Sequence, residues 1–214
     1  MFCKVENATK ARKKFLQLID EKKTYIISKD SIARAVLMPV EAYEKFIAAG
    51  RKKLPALAVL GARDCGRKKA LETASAVNSA GEHFSKIIFV YGPETEKYAG
   101  LFKTGETRIV CNEKPQMPII TSLKLAVSAL SPGDDFLVFC FLSKPPAKNM
   151  LGKMSRKTAL ARKNRKGIVI TTVNKRPTHP VAMSKKYFKM LLSTRKELGI
   201  PYIIRKFQKD IIYS

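Results

Sequence analysis

Residues 136–142, FLVFCFL, are seven consecutive apolar residues, and they constrain the fold more than any other part of the chain. A strand that faces water on one side alternates apolar with polar residues. A strand apolar throughout is covered on both faces, as in a parallel sheet flanked by helices. Four more short runs read as strands: residues 56–60, 86–91, 108–111 and 167–173. Helical segments fall between them, at about residues 70–80, near Lys97 and over 121–130, where Thr121 or Ser122 offers an N-cap. Strands alternating with helices predict an α/β fold around a mostly parallel sheet. No run reaches the roughly 18 apolar residues of a membrane-spanning helix, so no membrane partner is expected. The first fifteen residues lack an apolar signal core. Cys3, Cys65, Cys111 and Cys140 stand far apart, with no CxxC pair. A reducing cytoplasm is therefore the expected compartment, and a zinc site is not expected.

The first fifty residues have a different pattern. Asn7 or Thr9 can cap a helix running to about Asp20, with Ala11, Phe15, Leu18 and Ile19 on one face. Residues 24–28, TYIIS, and 33–38, ARAVLM, read as two strands around a Lys29–Asp30–Ser31 turn. Pro39 stops the second strand, and a helix with Tyr43, Phe46 and Ile47 ends at Gly50. This order, with Ala11–Arg12, Phe15, LID at 18–20, YIISK at 25–29 and AVLMPVEAYEKF from Ala35, resembles the prevent-host-death/YefM antitoxin family. The resemblance implies a small α+β antitoxin-like domain over 1–50 that forms a homodimer and binds DNA. Arg12 and Lys29 would then face phosphates or bases, with Lys13 and Lys14 adding charge beside Arg12.

Residues 51–55, RKKLP, form a short basic linker, and residues 56–214 a second domain. The net charge is +25, and it is unevenly placed. Residues 1–50 hold 10 Lys/Arg and 6 Asp/Glu, whereas residues 51–214 hold 32 and 11. A field of this size attracts polyanions or simply solvates a Lys-rich surface. Residues 144–166 carry nine Lys/Arg and no acid, and read as a mobile or nucleic-acid-facing excursion.

Four fragments of the second domain carry chemistry. The loop after the first strand, Gly61 to Lys69, has two glycines and several cations, which suits phosphates near a helix N-terminus. It lacks the GxxxxGK[ST] spacing of a P-loop. Residues 112–123, NEKPQMPIITSL, place Asn112 ahead of an irregular loop and a Ser122–Leu123 pair at a helix start. The central strand ends in Leu142–Ser143–Lys144–Pro145. His179–Pro180 follows a further strand. In this order, the fragments resemble the nucleotidyltransferases of molybdenum-cofactor synthesis. The resemblance implies a Rossmann-like, three-layer GT-A-like nucleotidyltransferase domain. By position, Gly61, Gly66, Arg67, Lys69, Asn112 and Ser122 would bind nucleotide, and His179 is the catalytic candidate as a base or phosphate contact. The family uses magnesium with CTP or GTP.

The departures from that pattern bear on activity. Pro118 stands where the family has glycine; it lacks an N–H and cannot adopt positive φ. Ser143 stands where the family has a magnesium-binding Asp, with Lys144 beside it. A hydroxyl and a fixed ammonium hold a divalent cation poorly, because magnesium needs one or two carboxylates. No metal ligand is therefore assigned, and no cofactor is expected unless catalysis survives with magnesium and CTP or GTP. Asp134 and Asp135 precede the central strand and read as a solvated turn, roughly 20 Å from Ser143 at the usual rise per residue. The sequence thus supports a non-catalytic or weakly active nucleotidyltransferase-fold protein that acts as a nucleotide- or anion-responsive DNA-binding regulator, with an active magnesium-dependent transferase acting on a small phosphorylated acceptor as the alternative.

Overall fold

The computed structural model describes residues 4–7, 25–29, 32–37, 39, 54–63, 65–103, 106–174, 176–195 and 198–214. The chain divides into two units, Met1–Lys52 and Lys53–Ser214.

In the first unit three strands form one sheet: β1 (Lys4–Asn7), β2 (Tyr25–Lys29) and β3 (Ile32–Leu37). β2 and β3 pair antiparallel, as their β-branched composition predicts. β1 lies parallel to β2 and was not anticipated, because four residues with two charged side chains give no periodic signal. Asn7, offered as a helix cap, is the last residue of β1. Both helices predicted in this unit, and Arg12, Lys13 and Lys14, lie outside the described residues. Lys29 is the last residue of β2, paired with Ile32.

The second unit is built on a seven-stranded sheet. Its strands are β4 (Ala56–Gly61), β5 (Ile87–Tyr91), β6 (Thr107–Cys111), β7 (Phe136–Phe141), β8 (Ile168–Val173), β9 (Arg176–Ser184) and β10 (Ile211–Tyr213). The helices are α1 (Arg67–Ser79), α2 (Ile120–Ser128), α3 (Met150–Lys163), α4 (Phe188–Ser193) and α5 (Gly199–Lys206). The strand order is β10-β8-β9-β7-β4-β5-β6, and only β9 runs antiparallel to its neighbours.

Alternation along each strand decides which layer a side chain joins. Leu57 and Val59 of β4 pack with Ala70, Ala74 and Val77 of α1 and with Leu151 and Met154 of α3. Ala56, Ala58 and Leu60 pack on the other face with Leu123 and Ala126 of α2, Leu191 of α4 and Ile203 of α5. The result is three layers, with β4 and β7 buried on both sides.

Three readings of the sequence are corrected. Residues 150–163 form a packed helix, α3, whose Leu151, Met154, Thr158 and Ala161 are buried, rather than a mobile excursion. Asp134 is buried and pairs with the buried Lys86 at 3.2 Å, and Asp135 binds Arg162 through two hydrogen bonds of 2.7 and 2.8 Å. They do stand at the opposite end of β7 from Ser143, but they tie the layers together instead of facing water. Finally, α2 begins at Ile120 after Ile119, and no side chain caps it, so Thr121 and Ser122 lie inside its first turn. Among the described residues, no helix is long and apolar enough to cross a membrane.

Candidate functional site

The chain order reverses between β4 and β7. From β4 the chain moves outward through β5 to β6, then returns to lay β7 on the other side of β4. In an open α/β sheet a crevice forms at such a switch, beyond the carboxyl ends of the strands, and ligands bind there. A cavity of about 420 Å³ occupies this place. Leu60, Ala62 and Arg63 line it from β4 and its loop, Phe141, Ser143 and Lys144 from the end of β7, and Pro115, Met117, Ile119 and Ser122 from the segment after β6.

Close backbone approach shapes the walls. A Cβ added to Gly92 would stand 2.2 Å from the Ala62 carbonyl oxygen, so only glycine fits where the β5 loop passes the β4 loop. The fully buried Thr95 secures this crossing: its hydroxyl donates to the Gly61 carbonyl and accepts the Gly92 N–H at 2.9 Å. Across the cavity, Thr73 of α1 donates to the Leu142 carbonyl at 2.9 Å and fixes the end of β7.

Arg63 binds the far wall. Its Nε donates to the Pro115 carbonyl at 3.1 Å, and Nη2 reaches the Gln116 and Met117 carbonyls at 3.3 and 3.4 Å. The guanidinium thus braces the loop and leaves its charge at the rim. Asn112 is buried; its Nδ2 donates to the Ser122 hydroxyl at 2.9 Å, and its Oδ1 accepts the Lys114 N–H at 3.0 Å. These two residues, singled out together in the sequence, meet in space. Ser122 reaches the cavity, while the Asn112 amide is engaged in holding the loop.

The remaining candidates fall around this centre. Gly61 ends β4. Gly66, at φ +74°, precedes α1 in a conformation that favours glycine. Arg67 and Lys69 are exposed in the first turn of α1 and do not line the cavity. His179 stands behind Phe141, its ring 4.0 Å away between centroids in an edge-on contact. Its Nδ1 is buried without a hydrogen-bond partner among the described residues. Burial, and secondarily the Lys144 charge, push the imidazole down to about 4, so it is neutral at physiological pH. The His179–Pro180 peptide is cis. Cys140 of β7 is fully buried, and burial pushes its thiol up to about 12, which removes it as a nucleophile. Arg63 was missed as a site residue, because a single Arg in a loop carries no spacing signal.

Lys144 lines the cavity, its Nζ 5.9 Å from the centre of the Phe141 ring. Among the described residues, the lining contains two cations and no carboxylate. Ser143 and Lys144 therefore do not fit a divalent cation. Among the described residues, no group of three or more His, Cys, Asp or Glu is placed to hold a metal; Asp64, in the loop after β4, lies outside them.

No family model matches the chain, and no curated protein matches its sequence. Solved structures match its architecture. Rv0371c from Mycobacterium tuberculosis H37Rv aligns over 76% of this chain and 88% of its own, with a TM-score of 0.60 and 15% identity. The 4-diphosphocytidyl-2C-methyl-D-erythritol synthase from Anaerococcus prevotii DSM 20548 aligns over 75% and 87%, with a TM-score of 0.57 and 16% identity. The larger unit has a nucleotidyltransferase-like fold. A nucleotidyl transferase from Methanothermobacter thermautotroptrophicus agrees, over 76% and 88%, with a TM-score of 0.57 and 16% identity. A second Rv0371c structure is a complex with manganese, at 13% identity and a TM-score of 0.59. At these identities the likeness establishes the fold of this unit, and fold alone does not assign chemistry.

Proposed function

We propose that residues 56–214 are a nucleotidyltransferase-like shell that binds a nucleotide or similar anion without transferring it. Residues 1–50 are then an antitoxin-like, dimeric DNA-binding unit whose affinity the bound anion sets. One observation carries the first part: among the described residues, the lining of the cavity at the β4–β7 switch holds Arg63 and Lys144 and no carboxylate. Two fixed cations attract the phosphates of CTP or GTP without a metal. Nucleotidyl transfer needs a divalent ion to neutralise charge as the pyrophosphate leaves, and an ammonium in the ion's place repels it. The first turn of α1, with Arg67 and Lys69, extends the phosphate-binding end. For the second part, the support is the motif order within residues 1–50 and the β2–β3 hairpin.

The test is nucleotide binding by calorimetry with and without magnesium, beside a pyrophosphate-release assay. The expected result is equal affinity in both conditions, no pyrophosphate, and at least about tenfold weaker binding after Lys144→Glu, in line with the worth of a charge-assisted contact. Magnesium-dependent binding with turnover overturns the reading in favour of an active transferase using a small phosphorylated acceptor. The fold's solved relatives, one of them a manganese complex, favour that second reading. For DNA, Arg12→Ala should weaken the complex with the protein's own upstream region more than Lys189→Ala, and nucleotide should shift the affinity. Absence of both effects in gel-shift titrations removes the DNA-binding part alone.

A further inference from the structure

On the sheet face covered by α1 and α3 lies a second, larger concavity, a groove of about 860 Å³. Its floor is kept low by small residues: Ser75, Ala76 and Ser79 of α1 and Gly152 of α3. Its rim is cationic, formed by Lys148, Lys153 and Arg156, while Glu72 and His83 are its other titratable groups. Lys157 and Lys163 continue the charge along α3.

Among the described residues no ion pair engages these cations, although Glu72 lies in the same groove. Arg162, on the same helix, is held by Asp135. The ion pairs among the described residues involve His83, Lys86, Arg108, Arg162 and Lys186, and none involves the rim cations or Lys157 and Lys163. Lys153, Arg156 and Lys157 are three and four apart, so they share one outward side of α3, opposite the buried Leu151, Met154 and Thr158. From Lys153 to Lys163 the stripe extends about 15 Å at the helical rise. One strand of duplex DNA carries roughly four phosphates over that length.

We infer that this groove and the α3 stripe hold the phosphate backbone of duplex DNA, irrespective of sequence, on the larger unit itself. A phosphate ridge enters a groove whose floor is small and whose rim is positive, and Ser75 and Ser79 add hydroxyl donors. Among the described residues His83 is the groove's one aromatic ring, and no Phe, Tyr or Trp lines it. Single strands bind by stacking bases on such rings, so the surface suits a duplex. RNA duplexes are recognised through shape, 2′-hydroxyl and phosphate contacts spread over about 16 base pairs, a reach well beyond the stripe on α3. The inference does not rest on the DNA-binding reading of residues 1–50: it concerns a generic affinity rather than a preferred site.

The test uses the full chain and a fluorescent duplex of about 20 base pairs and unrelated sequence, titrated at roughly 50 to 200 mM salt. A triple variant, K153Q/R156Q/K157Q, is compared with K189Q/R195Q/R205Q, which removes the same charge from the opposite face and keeps good helix formers. The α3 variant should lose at least about tenfold in affinity, and its log–log salt slope should fall by about 3, whereas the control should change far less. Arg12→Ala should leave this sequence-independent binding in place. Equal losses in both triple variants mean net charge alone and overturn the inference, as does abolition by Arg12→Ala. Tighter binding of an RNA duplex or a single strand overturns the assignment to DNA. If the triple variant melts early, Lys153→Gln alone, at an exposed position, should lower the slope by about 1; an unchanged slope counts against the groove.

Discussion

His179 is informative because its environment decides between two uses of the same residue. A base near neutrality needs an imidazole that titrates there. This one is wedged beside Phe141 and Phe139, with Nδ1 unsatisfied among the described residues and its pKa lowered to about 4. It is therefore a packed, neutral ring that positions Phe141, a wall of the cavity. The lowered value has a consequence for stability. Between about 6.5 and 4 the unfolded chain binds a proton on this residue that the folded chain does not. Stability from this group is present above 6.5 and is lost as pH falls through that window. Thermal melts of the wild-type chain should fall in midpoint from pH 7 to pH 4.5 by more than those of His179→Gln. Equal slopes in both proteins would mean that the imidazole is solvated and free to titrate.

At the scale of the element, α3 shows how a charge count misleads. Nine cations and no acid over residues 144–166 read as a mobile or nucleic-acid-facing excursion. The apolar residues Leu151, Met154 and Ala161 recur at helical spacing, and each is at most 2% exposed. Apart from Arg162, which pairs with Asp135, the long basic side chains of α3 lie on its outward face, so a dense charge run and a firmly packed helix are compatible. Leu151→Ala should cost about 2–5 kcal/mol, the range for emptying a core leucine site, measured by denaturant titration. A cost near zero would mean that the segment does not pack. β9 was hidden for a related reason. Pro177 and Pro180 argue against a central strand. Its β7 partners begin only at Val181, so the proline-bearing half pairs with β8 alone, across a register shift at Ile170/Thr171.

For the molecule as a whole, the two units raise the question of assembly. A small three-stranded sheet gains stability by pairing with a copy of itself. Light scattering of the full chain should give about twice the 24.0 kDa of one chain, and a monomeric mass at micromolar concentration would remove the dimer. The parallel sheet, the layering and the ends of β4, β5, β6, β7 and β8 were legible in the sequence, because runs buried on both faces must be apolar throughout, and that is a one-dimensional signal. The motif order that places Ser122, Ser143 and Lys144 near one another was legible for the same reason, as a matter of chain register. What the sequence by itself determined is thus which segments are buried and which residues end the strands. Only the tertiary structure decided that Arg63 crosses to the opposite wall, that Asn112 turns inward to hold Ser122, that Asp134 is matched by Lys86, and that the charged groups lining the cavity, among the described residues, are Arg63 and Lys144. Each of these depends on groups distant along the chain meeting in space, and side-chain charge and hydrogen bonding are settled by those meetings rather than by local periodicity.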